Sequence, residues 1–248
     1  MNGADERLAG EIAGVTDAAG RPPVRAGADG DAFRIGVDAG GEPYVWHRAT
    51  ALFPRSVLAL RGRHNERNLC VALAVLDGMG VDVAAARDPL AEAVAGFAGL
   101  PHRLAEIDDP SGLTFVDDTL STSPYSAMHA IDAYDGRPLT VIVGGTDRGL
   151  DYAPLRAHLA DLTSRDGREI TVLGIPDSGP RILSALAGVP GVRTEPAEDL
   201  PAAVRLAREL TPPKGVVLLS PAAPSYGRYR NFEHRSEVFA QAIRDSAI

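Results

Sequence analysis

LTFVDDTLSTSPYSAMHAI, residues 113–131, is a short apolar run that meets two aspartates, crosses a stretch of small hydroxyl residues and restarts at a proline. Phe115 and Val116 suit a strand, and Pro124 behind Ser123 suits the first position of a helix. The stretch therefore places Asp117, Asp118, Thr119, Ser121, Thr122 and Ser123 between a strand's carboxyl end and a helix's amino end. Open α/β sheets bind their ligands there.

The rest of the chain is expected to build such a sheet. Strand-like runs follow at PLTVIVGG, EITVLG, a weaker GVRTE and GVVLLS, and helical patterns fall between them at YAPLRAHLADL, GPRILSALAG and LPAAVRLAREL, with FEHRSEVFAQAIRDSAI closing the chain. Apolar strands alternating with amphipathic helices predict an α/β fold, a doubly wound and mostly parallel sheet with right-handed crossovers. Residues 1 to about 60 read differently. The runs AFRIGVD, PYVWHR and SVLALRG, separated by turns such as DAGGEP, predict a small antiparallel sheet or meander. HNERNLCVALAVLDGMG predicts a helix with a stripe of Leu69, Ala72, Leu73, Leu76 and Met79 that Gly80 closes. A second helix is expected to open on Asp88 as N-cap and Pro89.

Composition narrows the function classes. The chain has 248 residues, 45% hydrophobic and 23% charged, enough to bury a proper core. No apolar run reaches the ~20 residues of a membrane span, and the start MNGADERLAGEIAG lacks a signal peptide's basic and apolar regions, so the expected compartment is the cytoplasm, with no membrane partner. The lone cysteine, Cys70, is expected to be a small buried thiol. A net charge of −8 speaks against a nucleic-acid partner. Among 25 basic residues there is a single lysine, Lys214 in TPPKG, so the chain has no Gly-Lys-Ser/Thr phosphate loop.

The predicted strand ends carry Asp117, Asp118 and Thr119, then Gly144 to Arg148, then Ser220 to Ala223. Such a rim of small and polar groups with one cation suits an anionic ligand, Arg148 offering a planar fork of donors. The same residue types also serve simply to cap the helices that follow. The remaining histidines, His47, His102, His129, His158 and His234, show no metal-ligand spacing and are expected to be structural or solvated.

Five ordered motifs, RGRHNERN at 61–68, GLPHR at 99–103, VDDTLSTSP at 116–124, VIVGGTDRGLDYAPL at 141–155 and LLSPAAPSYGRYRNFEHRSEVF at 218–239, resemble those of the Mur ligases, the ATP-dependent amino-acid ligases of peptidoglycan synthesis. Within that family the resemblance is to the carboxyl-terminal part of the glutamate-adding members, closest to those that add L-glutamate. It implies that residues 1–85 are a remnant of the central ATP-binding domain, 86–99 a connecting helix and 100–248 the carboxyl-terminal domain, with the amino-terminal domain and most of the ATPase domain lacking.

The resemblance also implies roles. Asn65 and Asn68 would lie near the adenine, with His64 capping or packing; Arg103 would reach the nucleotide phosphates, and Asp118 would accept from the ribose hydroxyls. Thr122, Arg148, Ser225 and Phe232 would grip the incoming glutamate. Each has a structural alternative: a helix-start contact for the asparagines, a salt bridge for Arg103, a core contact for Phe232. Two departures touch the presumed amino-acid pocket. The family pattern Asp-Ser-Lys-Ala-Thr-Asn reads Asp118-Thr119-Leu120-Ser121-Thr122-Ser123 here, and the glycine-loop lysine is Arg148.

The implied activity is addition of glutamate to UDP-N-acetylmuramoyl-L-alanine through an acyl phosphate, with ATP and Mg²⁺ as cofactors; the Mg²⁺ ligands are not expected in this chain. Small molecules are thus the implied partners, and the chain alone is expected to be inactive. The competing reading is an autonomous, non-catalytic module that binds a nucleotide or an acidic amino acid.

Overall fold

The computed structural model describes residues 26–247 and divides the chain into two compact units with the boundary after Ala98. The expectations for the first 25 residues lie outside the described part.

In the first unit, β1 (Phe33–Val37), β2 (Pro43–His47) and β3 (Thr50–Pro54) form the antiparallel meander in the order β1-β2-β3. The third strand is TALFP. The run SVLALRG that was expected to supply it is instead half of a 3₁₀ turn, Arg55–Val57, and an extended lead into the next helix. The tight return at Arg48 leaves only room to pair TALFP with β2. Helix α1 (Arg63–Gly78) closes at Gly80, which has φ 91°. Its buried face is rotated from the expected stripe. Cys70, Leu73 and Ala74 are buried against Phe33, Val45 and Phe53, while Ala72 is exposed and Met79 is 76% exposed. Leu73 stays on the buried face and Leu69 and Leu76 pack partly against it, while Cys70 and Ala74 take the places expected of Ala72 and Met79. Burial pushes the Cys70 thiol up to about 11, which keeps it protonated and inert. Helix α2 (Arg87–Ala95) has Ala86 as its N-cap, two residues before the expected cap at Asp88, and its Leu90, Ala91 and Val94 pack on this same core.

The second unit is a six-stranded sheet in the order β4-β5-β9-β6-β7-β8. Its strands are β4 (Ala105–Ile107), β5 (Thr114–Asp117), β6 (Leu139–Val143), β7 (Ile170–Gly174), β8 (Val192–Pro196) and β9 (Val216–Leu219). All neighbours are parallel except β4, a three-residue antiparallel edge too short to show an alternation in sequence. The connecting helices are α3 (Pro124–Asp132), α4 (Ala153–Asp166), α5 (Gly179–Leu186), α6 (Leu200–Leu210) and α7 (Phe232–Asp245).

Alternate strand residues serve opposite faces, as a period of two requires. Val141 and Val143 join Ala127, Ile131, Leu155 and Ile182 on one side, while Ile142, Leu173 and Val217 join Val204, Ala207 and Phe239 on the other. Both faces are covered, the doubly wound arrangement the alternation predicts. Helix starts are capped locally: Ser123 with Ser126 in a reciprocal pair, Asp199 on Ala202 and Asn231 on His234.

Candidate functional site

Strands β5, β9 and β6 lie side by side and point the same way, although β9 comes last in sequence. Their carboxyl ends therefore deliver the segments 117–123, 220–231 and 144–152 to one edge of the second unit. Hydrogen bonds stitch these loops together: Gly144 N–H to the Pro221 carbonyl at 2.9 Å, Thr146 N–H to Pro224 at 2.8 Å, and Asp118 N–H to Leu219 at 3.0 Å. The next loop joins through Ser178 N–H on Gly145, at 2.9 Å. The two glycines are required. They sit at φ 126° and 157°, and a Cβ would come within 2.4 Å of the Ile175 carbonyl oxygen at one and 2.3 Å of the Pro224 carbonyl oxygen at the other.

One side chain missed in the sequence holds this edge. Arg235, on the inner face of α7 and fully buried, donates to Thr119 Oγ1 and the Thr119 carbonyl at 2.7 Å each, and to the carbonyls of Ala223 at 3.4 Å and Gly144 at 3.5 Å. A single guanidinium thus clamps all three loops. Burial pulls its pKa down to about 10, so it stays charged near neutrality. Its sequence signal was an arginine on the apolar stripe Arg235, Phe239, Ala242, Ile243, where a cation needs a reason to be.

The two aspartates have separate surroundings. Asp117 accepts from His102 Nδ1 at 2.7 Å, Ser236 Oγ at 2.6 Å and Thr119 N–H at 3.0 Å. Asp118 is 2% exposed and accepts from Ser220 Oγ at 2.9 Å and from Ser121 Oγ, with the Leu104 amide nearby. Burial pushes its carboxyl up to about 6, against the pull of those donors and of the nearby Arg103. His102, expected to be structural or solvated, is engaged on Asp117 and meets Phe232 edge-on with centroids 5.6 Å apart.

Of the residues singled out in sequence, Arg103, Asp118, Thr122, Arg148, Ser225 and Phe232 all belong to this unit's strand-end loops, the loop before β4, or the start of α7. Arg103, Thr122 and Arg148 are exposed, Phe232 is half-buried and Ser225 is 5% exposed. Arg148 lies 5.9 Å over the Tyr226 ring, which ties its loop to Ser225, and it ion-pairs with no acid among the described residues. Thr146 Oγ1 and Ser178 Oγ are buried at this edge without a hydrogen-bond partner among the described residues. The edge can therefore offer an anion a planar cation and several hydroxyl donors. Asn65 and Asn68 belong to the first unit, in the opening turns of α1: Asn65 Nδ2 donates to the Arg61 carbonyl at 2.7 Å, and Asn68 Nδ2 to Asn65 Oδ1 at 3.3 Å. Among the described residues no three His, Cys, Asp or Glu side chains cluster as a metal site, and no helix is long and apolar enough to cross a membrane.

No family model matches the chain. It is 67% identical over 247 residues to the UDP-N-acetylmuramoyl-L-alanine–L-glutamate ligase of Micromonospora sp., covering 100% of this chain and 52% of that protein. To the ligase of the same name from Salinispora tropica it is 66% identical, with the same coverage. Among solved structures, the MurF ligase of Thermotoga maritima in complex with ADP matches 99% of this chain and 53% of its own, at a TM-score of 0.61 and 16% identity, a likeness of fold. Over its whole length the chain is similar to Mur ligases, and it spans about half the length of the curated relatives it matches.

Proposed function

We propose that this chain forms the carboxyl-terminal part of an ATP-dependent ligase that joins L-glutamate to UDP-N-acetylmuramoyl-L-alanine in the cytoplasm. ATP phosphorylates the acceptor carboxylate, the glutamate amine attacks the acyl phosphate, and ADP and phosphate leave. The second unit, residues 100–248, orients the amine and closes over the nucleotide, which contributes proximity and exclusion of water. Residues 1–85 are the tail of the central domain, and 86–99 the connection. Arg148, Thr122, Ser225 and Phe232 receive the glutamate. Arg103, Asp118, Asn65 and Asn68 serve the nucleotide. Mg²⁺ would spread the phosphate charge, and no step assigned to this chain runs through it.

The observation that carries the reading is the 67% identity, over the whole chain, to a ligase named for L-glutamate. Arg148 at the strand-end edge, which ion-pairs with no acid among the described residues, supports it, since a dicarboxylate calls for a cation. The test is a chimera in which this chain replaces the matching half of the Micromonospora ligase. Amide formation dependent on ATP and L-glutamate is expected. A folded chimera with no turnover, or one that prefers another amino acid, overturns the reading. The chain by itself, given ATP, Mg²⁺, glutamate and the acceptor nucleotide, is expected to form no amide.

A further inference from the structure

The loop before β4 is bent against its own preference. His102 and Leu104 both take left-handed backbone, at φ 62° and 50°, with Arg103 between them. Neither is a glycine, and for Leu104 in particular the conformation is costly. Such a conformation persists only where surrounding contacts impose it, and each of the two has one. His102 Nδ1–H donates to Asp117 at 2.7 Å, the His102 carbonyl accepts from Leu120 N–H at 3.4 Å, and its ring rests edge-on against Phe232. Leu104 packs its side chain on the core of the sheet, with its amide near the Asp118 carboxylate. The aspartates are themselves anchored, Asp117 by Ser236 and Thr119, Asp118 by Ser121 and Ser220. His102 is thus fastened to the end of β5 and Leu104 to the core, while Arg103 stays exposed and close enough to act on the Asp118 charge.

We propose that His102 is a positioning residue: its bond to Asp117 holds the bend that presents Arg103 as a fixed cation at the sheet edge, ready for an anionic ligand. That the anion is the phosphate chain of a nucleotide rests on the function proposed above. An ordinary packing role for His102 would leave Arg103 where it is when the bond is cut.

The experiment separates the two claims. The ¹³C-detected titration of the Asp118 carboxyl, in the whole chain and without ligand, reports how near Arg103 is held. Arg103→Met sets the scale by raising the midpoint. His102→Ala is expected to raise it comparably and His102→Asn to leave it near wild type, because asparagine tolerates left-handed backbone and can still donate to Asp117. Both variants remove the imidazole and its titration, so their difference isolates the bond; Arg103, the charged group acting on Asp118, is common to both. His102→Gly, which relieves the backbone, serves if the alanine variant does not fold. Equal midpoints for the alanine (or glycine) and asparagine variants overturn the positioning role. In the chimeric ligase, His102→Ala is then expected to raise KM for ATP about tenfold with KM for glutamate unchanged. A shifted midpoint with an unmoved KM for ATP keeps the positioning role and removes the nucleotide as its purpose.

Discussion

The two ends of the six-stranded sheet each bury an arginine and pair it differently. At the amino end, Arg208 forks onto Asp109 at 2.6 and 3.0 Å, also donates to Ser246 Oγ and the Ile243 carbonyl, and lies 4.7 Å over the Phe115 ring. Charge meets charge, and the Arg208 hydrogen bonds pull the Asp109 carboxyl down to about 2. At the carboxyl end, Arg235 donates to carbonyls and a hydroxyl, and Asp118 is buried with hydroxyl donors, its carboxyl pushed up to about 6. One end spends its polar groups on stability. The other keeps imperfectly compensated charge, the arrangement found where a ligand is to be received.

Removing Arg235 tests the comparison most severely. Arg235→Ala leaves three carbonyls and a hydroxyl buried without a donor and opens a cavity, so a loss of roughly 3–5 kcal/mol is expected. Hydrogen exchange at the Val141 and Leu218 amides measures it, because the only tryptophan, Trp46, belongs to the other unit and its fluorescence should not change.

Next in size is Asp109→Asn, with an expected cost of about 2 kcal/mol at pH 7. Its folded pKa lies below the unfolded value, so the contribution is present above about pH 4 and lost as pH falls through about 2. Wild type and variant should converge in acid denaturation at the low end.

Asp118→Asn should act with the opposite sign. A carboxyl whose folded pKa is raised favours folding below the unfolded value of 3.8 and loses that advantage as pH rises through about 6. The variant is therefore expected to gain on wild type by about 1–2 kcal/mol at pH 8, and the gain should vanish at pH 4. Urea unfolding at the two pH values decides it. No gain at pH 8 would mean that Asp118 is better compensated than its neighbours suggest.

The smallest stability effect belongs to the residue with the largest expected effect on activity. Arg148 is exposed, so Arg148→Ala should leave stability within about 0.5 kcal/mol. In the chimeric ligase it should raise KM for glutamate at least tenfold. A stability loss without a KM change would make Arg148 part of the scaffold.

Much of this was readable beforehand, for definite reasons. The central strands β6, β7 and β9, with β5 beside them, announced themselves because both faces of the sheet are covered there and their residues are mostly apolar, whereas the edge strand β8, VRTEP, showed only weakly. The glycine pair marked a loop that no side chain could enter. The rotation of α1 was not legible, since its stripe of large residues and its stripe of Cys70 and Ala74 are both helical in period, and only the meander it packs on chooses between them. Asp117 and Asp118 stood next to each other in sequence with nothing to tell them apart. The structure gives one to His102 and Ser236 and the other to Ser121, Ser220 and Leu104.

By itself the sequence determined the layering, the alternation of strand and helix and the residue types at each strand end, because burial periodicity and turn chemistry are local properties. The tertiary structure decided which polar group answers which. Arg235 and Thr119 are 116 positions apart, and they meet only because β9 inserts between β5 and β6, an order of strands that local pattern does not encode.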